Sequence, residues 1–355
     1  MKTIKLFIVD DSAIVRQTIS KLVENESDIE LLGVAADPIF AMKKFQSIGL
    51  PDVLILDIEM PRMDGITFLK RIMSENPIAT IICSSLAQSG SSKAIEALQA
   101  GAVELIAKPN LQTKAFLEQS KENLLNSIRA ASNAKVKKIV SKKNMHVKEI
   151  SRGTDSIVLQ KKSLPAIGGQ KVIAIGSSTG GVQVIEKILT SLPAITVPIL
   201  ITQHMPAGFT ASLAKRLDAI SKLSIKQAEN GDELSAATVY IAPGDKHMLI
   251  KRVGLKYSIK ITDGPKVSHH RPSVDVLFRS FANEVGRSGV GIILTGMGSD
   301  GSHGMKEMFD VGAKTYAQDE KSCVVYGMPN EAVKLGGVAH SLDISGIIEL
   351  IQSIR

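Results

Sequence analysis

Tryptophan is absent from the 355-residue chain, and aromatic residues make up only 4% of it. Proteins that hold single-stranded nucleic acid by stacking need aromatic platforms, so base stacking is excluded as a main theme. Cysteine occurs twice, at Cys83 and Cys323, each inside an apolar segment. Two isolated thiols make no disulfide framework and are expected to be buried and reduced, as in a reducing cytosol. No apolar run approaches the ~20 residues that a membrane-spanning helix requires. Met1-Lys2-Thr3-Ile4 leads straight into a strand-like segment, without the apolar stretch and cleavage site of a secretory leader. The expectation is a cytoplasmic protein that is not inserted into a membrane.

What is present is an ordinary globular balance, 44% hydrophobic and 22% charged, with apolar material for two sizeable cores. The net charge of +8 would suit nucleic acid, but its distribution argues otherwise. Between Arg129 and Lys162 there are ten Lys/Arg against two acids, Glu149 and Asp155, so this one stretch carries the whole +8. The basicity belongs to a segment, not to a folded face, and no nucleic-acid partner is expected.

Three regions follow from periodicity. Residues 1–125 alternate short apolar runs (Ile4–Val9, Leu31–Ala35, Val53–Leu56, Thr80–Cys83, Val103–Ala107) with stretches of helical period. That is the βα pattern of a five-stranded doubly wound parallel sheet. Over 126–168 the pattern dissolves into Lys, Ser, Asn and Gly, which reads as a basic flexible linker, helical at its start. Over 169–355 the alternation resumes with strand-like runs at Val172–Ile175, Val197–Thr202, Val239–Ala242, Leu255–Thr262 and Val290–Thr295. The fold class is again α/β and mainly parallel, with an antiparallel excursion expected near 239–262.

Ligands of doubly wound sheets bind beyond the carboxyl ends of the strands. In the first region those ends carry Asp10-Asp11, Asp57, Ser84 and Lys108-Pro109. Taken singly, an Asp-Asp pair before a helix is usually an N-cap, and a Lys-Pro pair is usually surface. Taken jointly and in order, they make a pocket of three carboxylates, a hydroxyl and an ammonium. A hard divalent cation such as Mg2+ would relieve the carboxylate repulsion and leave one carboxylate able to attack phosphorus. Lys108 would balance phosphoryl charge, and Ser84 would hydrogen-bond a phosphoryl oxygen.

The same edge in the second region carries Gly176-Ser177-Ser178-Thr179-Gly180-Gly181, then Gln203-His204, then Gly296-Met297-Gly298-Ser299-Asp300-Gly301. Ser178, His204 and Asp300 are the parts of a serine hydrolase. An imidazole takes the proton of the weak hydroxyl nucleophile, and a carboxylate orients the imidazole. Glycine lets backbone N–H groups approach a substrate and form an oxyanion hole. A Gly/Ser-rich turn after a first strand more often cradles phosphate. This one is neither G-x-G-x-x-G nor a P-loop, and no acid is suitably placed for a ribose. His247, His270 and His303 are competing bases, and the chain order Ser, His, Asp is not that of the α/β-hydrolases.

The longer motifs carry a resemblance. IVDD, LILDIEMPRMDG, IICSS and AKP stand in the order of a response-regulator receiver domain. GSSTGG, ITQHMPAGF, IAPGDKHM, HHRPSVDVLF, ILTGMGSDG and CVVYGMPNEA closely resemble the catalytic domain of the chemotaxis protein-glutamate methylesterases. The resemblance covers nearly the whole chain outside the linker. It implies two doubly wound α/β domains, a flavodoxin-like receiver (1–125) and a methylesterase domain (169–355). Asp57 would be the phosphoacceptor, Asp10 and Asp11 the metal-site acids that with Asp57 hold Mg2+, and Ser84 and Lys108 the switch residues. Ser178 would be the nucleophile, His204 the general base, Asp300 its partner, and Met297 and Thr179 the oxyanion donors, with no cofactor for hydrolysis. The implied substrates are glutamyl methyl esters and glutamines of methyl-accepting chemoreceptors, and the implied phosphodonor is a chemotaxis histidine kinase. The protein would sit peripherally at receptor arrays, and its receiver would cover the active site until phosphorylated. Two residues depart from the common pattern. Leu105 replaces the aromatic that many receivers carry three positions before the lysine, and Ser177 stands where many relatives have alanine. A DNA-binding response regulator and a nucleotide-binding oxidoreductase are the alternatives; neither needs the Ser178, His204 and Asp300 set.

Overall fold

The computed structural model of the chain describes residues 3–84, 88–108, 114–136, 138, 170–194 and 197–354. Pro109 and the expected linker beyond residue 138 lie outside them.

The first unit runs β1 (Ile4–Val9), α1 (Ala13–Val23), β2 (Ile29–Ala35), α2 (Pro38–Ile48), β3 (Val53–Leu56), α3 (Gly65–Glu75), β4 (Ala79–Ser84), α4 (Gln88–Gln99), β5 (Glu104–Ala107) and α5 (Lys114–Ser132). Its sheet has the order β2-β1-β3-β4-β5, every pair parallel. Parallel strands covered by helices on both faces read as continuous apolar runs rather than alternations. Accordingly Val53–Leu56 is buried at every position, and so is Ala79–Ser84. The helices start where the sequence supplies caps: the Ser12, Asp37 and Asp64 side chains accept first-turn N–H groups of α1, α2 and α3. Helix α5 continues to Ser132, into the stretch expected to be linker, because Arg129 is tied to Asp28 at 2.8 Å and Glu26 at 3.0 Å. At its start, then, the basic run belongs to a folded face.

The second unit adds β6 (Val172–Ser177), α6 (Gly181–Ser191), β7 (Ile199–Gln203), α7 (Phe209–Ile220), β8 (Ser224–Gln227), β9 (Thr238–Ile241), β10 (His247–Val253) and β11 (Lys256–Thr262). It continues through α8 (Val274–Glu284), β12 (Gly289–Ile293), α9 (Ser302–Asp310), β13 (Lys314–Gln318), α10 (Met328–Lys334), β14 (His340–Leu342) and α11 (Ile344–Ser353). The seven-stranded sheet has the order β14-β13-β12-β6-β7-β9-β8 and is parallel throughout. Strand β9 is therefore not part of an antiparallel excursion, since it lies between β7 and β8. Among the described strands only β10 and β11 pair antiparallel, as a separate hairpin. Alternation explains that hairpin: Met248, Ile250, Tyr257 and Ile259 are buried in one cluster with Leu277, Phe278 and Phe281 of α8.

Strand β6 is central and the chain leaves it in both directions, to β7 on one side and eventually to β12 on the other. The gap beyond their carboxyl ends is the crevice that such topologies use for ligands. The two units share one apolar cluster, in which Ile95 and Leu98 of α4 join Val182 and Ile185 of α6 and Leu213 of α7. Each such buried aliphatic side chain contributes about 1.5–3 kcal/mol relative to exposure, so an edge of the first unit is seated on the second. Cys83 and Cys323 are free and buried; burial pushes both thiols up, Cys323 to about 12.

Candidate active site

Strand β6 carries Ser177 inward and ends there, so Ser178 begins the turn. Successive strand residues face opposite ways, and the two serines have different fates. Ser177 is fully buried and donates its hydroxyl to the Gln203 side-chain carbonyl. The Ser178 backbone is held from three sides: its N–H donates to Thr295 O at 3.0 Å, and its carbonyl accepts from Gly181 N at 2.8 Å and Gln203 Nε2 at 3.0 Å. Gly180 then turns the chain at φ +74°, where a Cβ would come within 2.5 Å of Val324. Only glycine suits both demands. At Gly296 a Cβ would lie 2.7 Å from that of Ser178, so this loop passes the serine backbone-first, just before Met297.

His204 follows β7 directly, its backbone N–H tied to Ser177 O at 3.1 Å. Its Nε2 bonds Asp300 Oδ2 at 2.7 Å, and its buried Nδ1 has no hydrogen-bond partner. A carboxylate at Nε2 favours the proton there and leaves a lone pair on Nδ1, the arrangement that a general base requires. Asp300 is 1% exposed. It also accepts the Ser273 hydroxyl at 2.7 Å, Val274 N at 2.7 Å and Asp275 N at 3.1 Å. Ser273 caps α8, so the carboxylate sits at a helix N-terminus, where negative charge is favoured. Burial raises its pKa, but the His204 and Ser273 bonds outweigh burial and hold it at about 2.

Of the competing bases, His247 is buried and spent on both nitrogens, accepting from Ser273 N at 3.2 Å and bonding Pro265 O at 2.8 Å. His270 stacks on the His204 ring at 3.7 Å between centroids. Burial, and then the repulsion that a protonated His204 would exert, push His270 down to about 3, so it is a neutral plate against the His204 ring. Arg271 turns away to Asp245 at 2.8 Å. Three residues escape the sequence reading, namely Gln203, Ser273 and Glu104. The first two have visible signals in the Gln-His pair at a strand end and the helix-capping serine.

The receiver pocket assembles as the strand ends suggest. Ligand oxygens of Asp10, Asp11 and Asp57 lie within 4.8 Å of one another. Lys108 Nζ bridges Asp57 at 2.8 Å and Asp10 at 3.0 Å. Burial raises the carboxyl pKa of Asp10 and Asp57 despite the lysine. Ser84 is buried and its carbonyl accepts Lys108 N at 3.0 Å. Three carboxyl groups at such spacing, two of them driven toward protonation, suit a hard divalent cation.

Comparison with known proteins assigns a family to each unit. Residues 173–351 match the model of the CheB methylesterase family and residues 6–119 that of the response regulator receiver domain. The chain belongs to the CheB methylesterase family. It is 49% identical to protein-glutamate methylesterase/protein-glutamine glutaminase 3 of Geobacter metallireducens, over 98% of both chains. It is 50% identical to the protein of the same name from Shewanella oneidensis, again over 98% of each. The crystal structure of the Thermotoga maritima CheB methylesterase catalytic domain superposes with a TM-score of 0.51 at 38% identity, covering 53% of this chain and all of that one. As a CheB relative the chain pairs its hydrolytic unit with a receiver, and among the described residues no helix is long and apolar enough to cross a membrane.

Proposed function

We propose that Ser178, His204 and Asp300 perform the hydrolysis and that the receiver governs access to them. The chain is a protein-glutamate methylesterase and protein-glutamine glutaminase of chemotaxis, controlled through its receiver. The observation that carries the residue assignment is the His204–Asp300 bond at 2.7 Å with the opposite ring nitrogen bare, in a cavity that Ser178 and His204 both line. Ser178 Oγ attacks the ester carbonyl carbon while His204 Nδ1 takes its proton. The tetrahedral oxyanion is received by backbone N–H groups of the Thr179 turn and the Met297 loop. The C–O bond to methoxide breaks, the proton from Nδ1 leaves with it as methanol, and water repeats the sequence on the acyl-enzyme to release glutamate. A glutamine follows the same course with ammonia leaving. Asp300 remains ionised throughout, stabilising the imidazolium.

Control follows from connectivity. Asp57 is the phosphoacceptor, Lys108 and Ser84 read the phosphoryl group, and Asp10 and Asp11 with Asp57 would hold Mg2+, which neutralises phosphoryl charge when bound. Lys108 follows the end of β5, whose first residue, Glu104, touches the catalytic domain. Four residues of strand, about 13 Å, link phosphorylation to the interface. The substrates are side chains of methyl-accepting chemoreceptors, the donor is their histidine kinase, and the protein works at the receptor array without entering the membrane. The test is methanol release from methylated receptor membranes with and without a small-molecule phosphodonor. A Ser178→Ala protein that still released methanol at the wild-type rate would sink the assignment.

A further inference from the structure

Between the two units the catalytic cavity is closed down to about 10 Å3, room for a single water. The receiver residues at its wall are Leu98, Val103, Glu104 and Leu105, and among these Glu104 is the only one with a polar side chain. Its carboxylate accepts the hydroxyl of Thr179, the residue after the nucleophile. The neighbouring backbone fixes the approach: Gly180 N donates to Val103 O at 3.0 Å, and Gln183 Nε2 donates to Ala102 O at 2.8 Å. The glutamate is thus held against the nucleophile's turn by the two residues that precede it. Burial pushes its carboxyl up to about 7, against the Thr179 bond and the charge of His204. A glutamyl carboxyl group has the size and planar shape of the ester or amide that the site hydrolyses.

We propose that Glu104 occupies the place of the substrate's glutamyl side chain, so that the receiver inhibits the catalytic domain as an internal product analogue. A bare steric cover needs no particular side chain here. Glutamate at this position is the chemical product of the reaction, tethered where the reaction ends. The inference rests on the methylesterase and glutaminase reading of the site.

That identity supplies its own test. Glu104→Gln is isosteric, keeps the interface filled, and places a primary amide where the enzyme deamidates one. In the unphosphorylated full chain of this variant, Ser178 Oγ forms a bond to the carbon of that introduced amide, the C–N bond breaks, and ammonia leaves with the proton carried by His204. Water then hydrolyses the acyl-enzyme and restores glutamate at position 104. Peptide mass spectrometry should therefore find residue 104 converted to glutamate in Glu104→Gln, and unconverted when Ser178→Ala is combined with Glu104→Gln. In parallel, Glu104→Ala in the full chain should release methanol without phosphodonor about 5–20-fold faster than wild type, the span of a modest coupling energy. Either of two results overturns the proposal: an amide that persists at 104 while the same preparation demethylates receptors, or a Glu104→Ala basal rate equal to wild type. A wild-type protein that releases no methanol even with phosphodonor would remove the methylesterase reading itself, and the proposal with it.

Discussion

The two sheet-edge pockets bury carboxylates to nearly the same degree, Asp57 at 3% exposure and Asp300 at 1%, and treat them in opposite ways. Asp57 has one backbone N–H, from Ile58, and the shared ammonium of Lys108, and burial wins, so its pKa rises. Asp300 collects His204, the Ser273 hydroxyl and two amides at the start of α8, and there the bonds win over burial. The difference matches the chemistry proposed for the two residues. A phosphoacceptor pocket left short of positive charge is ready for a cation and a phosphoryl group. A triad carboxylate must arrive already solvated by fixed dipoles, since reorganising them during each turnover would raise the barrier.

The contrast breaks most visibly in turnover. Ser178→Ala and Asp300→Asn should each lower kcat for methanol release by about 10^4-fold or more. Ser177→Ala should cost less than about tenfold, because its loss strands only the Gln203 carbonyl, a stability effect of about 1–3 kcal/mol. Steady-state methanol assays alongside urea melts separate the two. If Ser177→Ala were the inactive variant, the nucleophile has been placed one residue late.

Stability should respond with opposite signs. In metal-free buffer at pH 7, Asp300→Asn turns an amide toward backbone donors and should lower the urea-derived stability by about 2–4 kcal/mol. The sign with pH is fixed as well. A carboxyl depressed in the folded state stabilises above its unfolded pKa, about 3.9, and loses that contribution as pH falls toward its folded value of about 2. Wild type should therefore lose more stability than Asp300→Asn between those pH values. Equal acid slopes would mean that Asp300 is not held down by its donors.

A smaller effect is expected from the plate behind the base. His270→Ala removes the ring stacked on His204 at 3.7 Å and should lower kcat about tenfold through loosened orientation, with KM little changed. A KM effect alone would recast His270 as a substrate contact. The smallest belongs to the receiver. Because Asp57 has a raised folded pKa, its ionised form is a penalty absent below the unfolded value and present above the folded one. Asp57→Asn should raise the urea midpoint at pH 7 in the absence of divalent cations, with the gain vanishing in acid. A lower midpoint would show that the Lys108 ion pair outweighs the burial it accompanies.

Much of the fold is legible in the chain alone. Val53–Leu56 is bounded in the sequence as it is in the fold, because an uninterrupted apolar run leaves few alternatives. Beyond residue 310 legibility falls. The strands β13 and β14 and the helices α10 and α11 escape the sequence reading, since β13 (KTYAQ) and β14 (HSL) are short and neither apolar throughout nor cleanly alternating. The hairpin β10–β11 is half visible, and its neighbour β9 reads as part of the wrong pairing, because strand direction is not encoded in strand composition.

The sequence by itself determined that Asp10, Asp57, Ser178, His204 and Asp300 would reach two sheet edges. In a parallel sheet every strand's carboxyl end lies on one side, so residue order suffices. It also determined, through motif order, the family. Only the tertiary structure decided that Ser177 is spent on Gln203, that Ser273 and the α8 N-terminus hold Asp300 ionised, and that Glu104 of the receiver lies against the Thr179 turn. Those roles depend on which group faces which across strands and domains 26 to 75 residues apart in the chain, and no local pattern records a partner at that range. Hydrogen bonds and burial are properties of the assembled pair, so the same carboxyl group becomes acid-prone at Asp57 and firmly ionised at Asp300 only once the chain has closed around it.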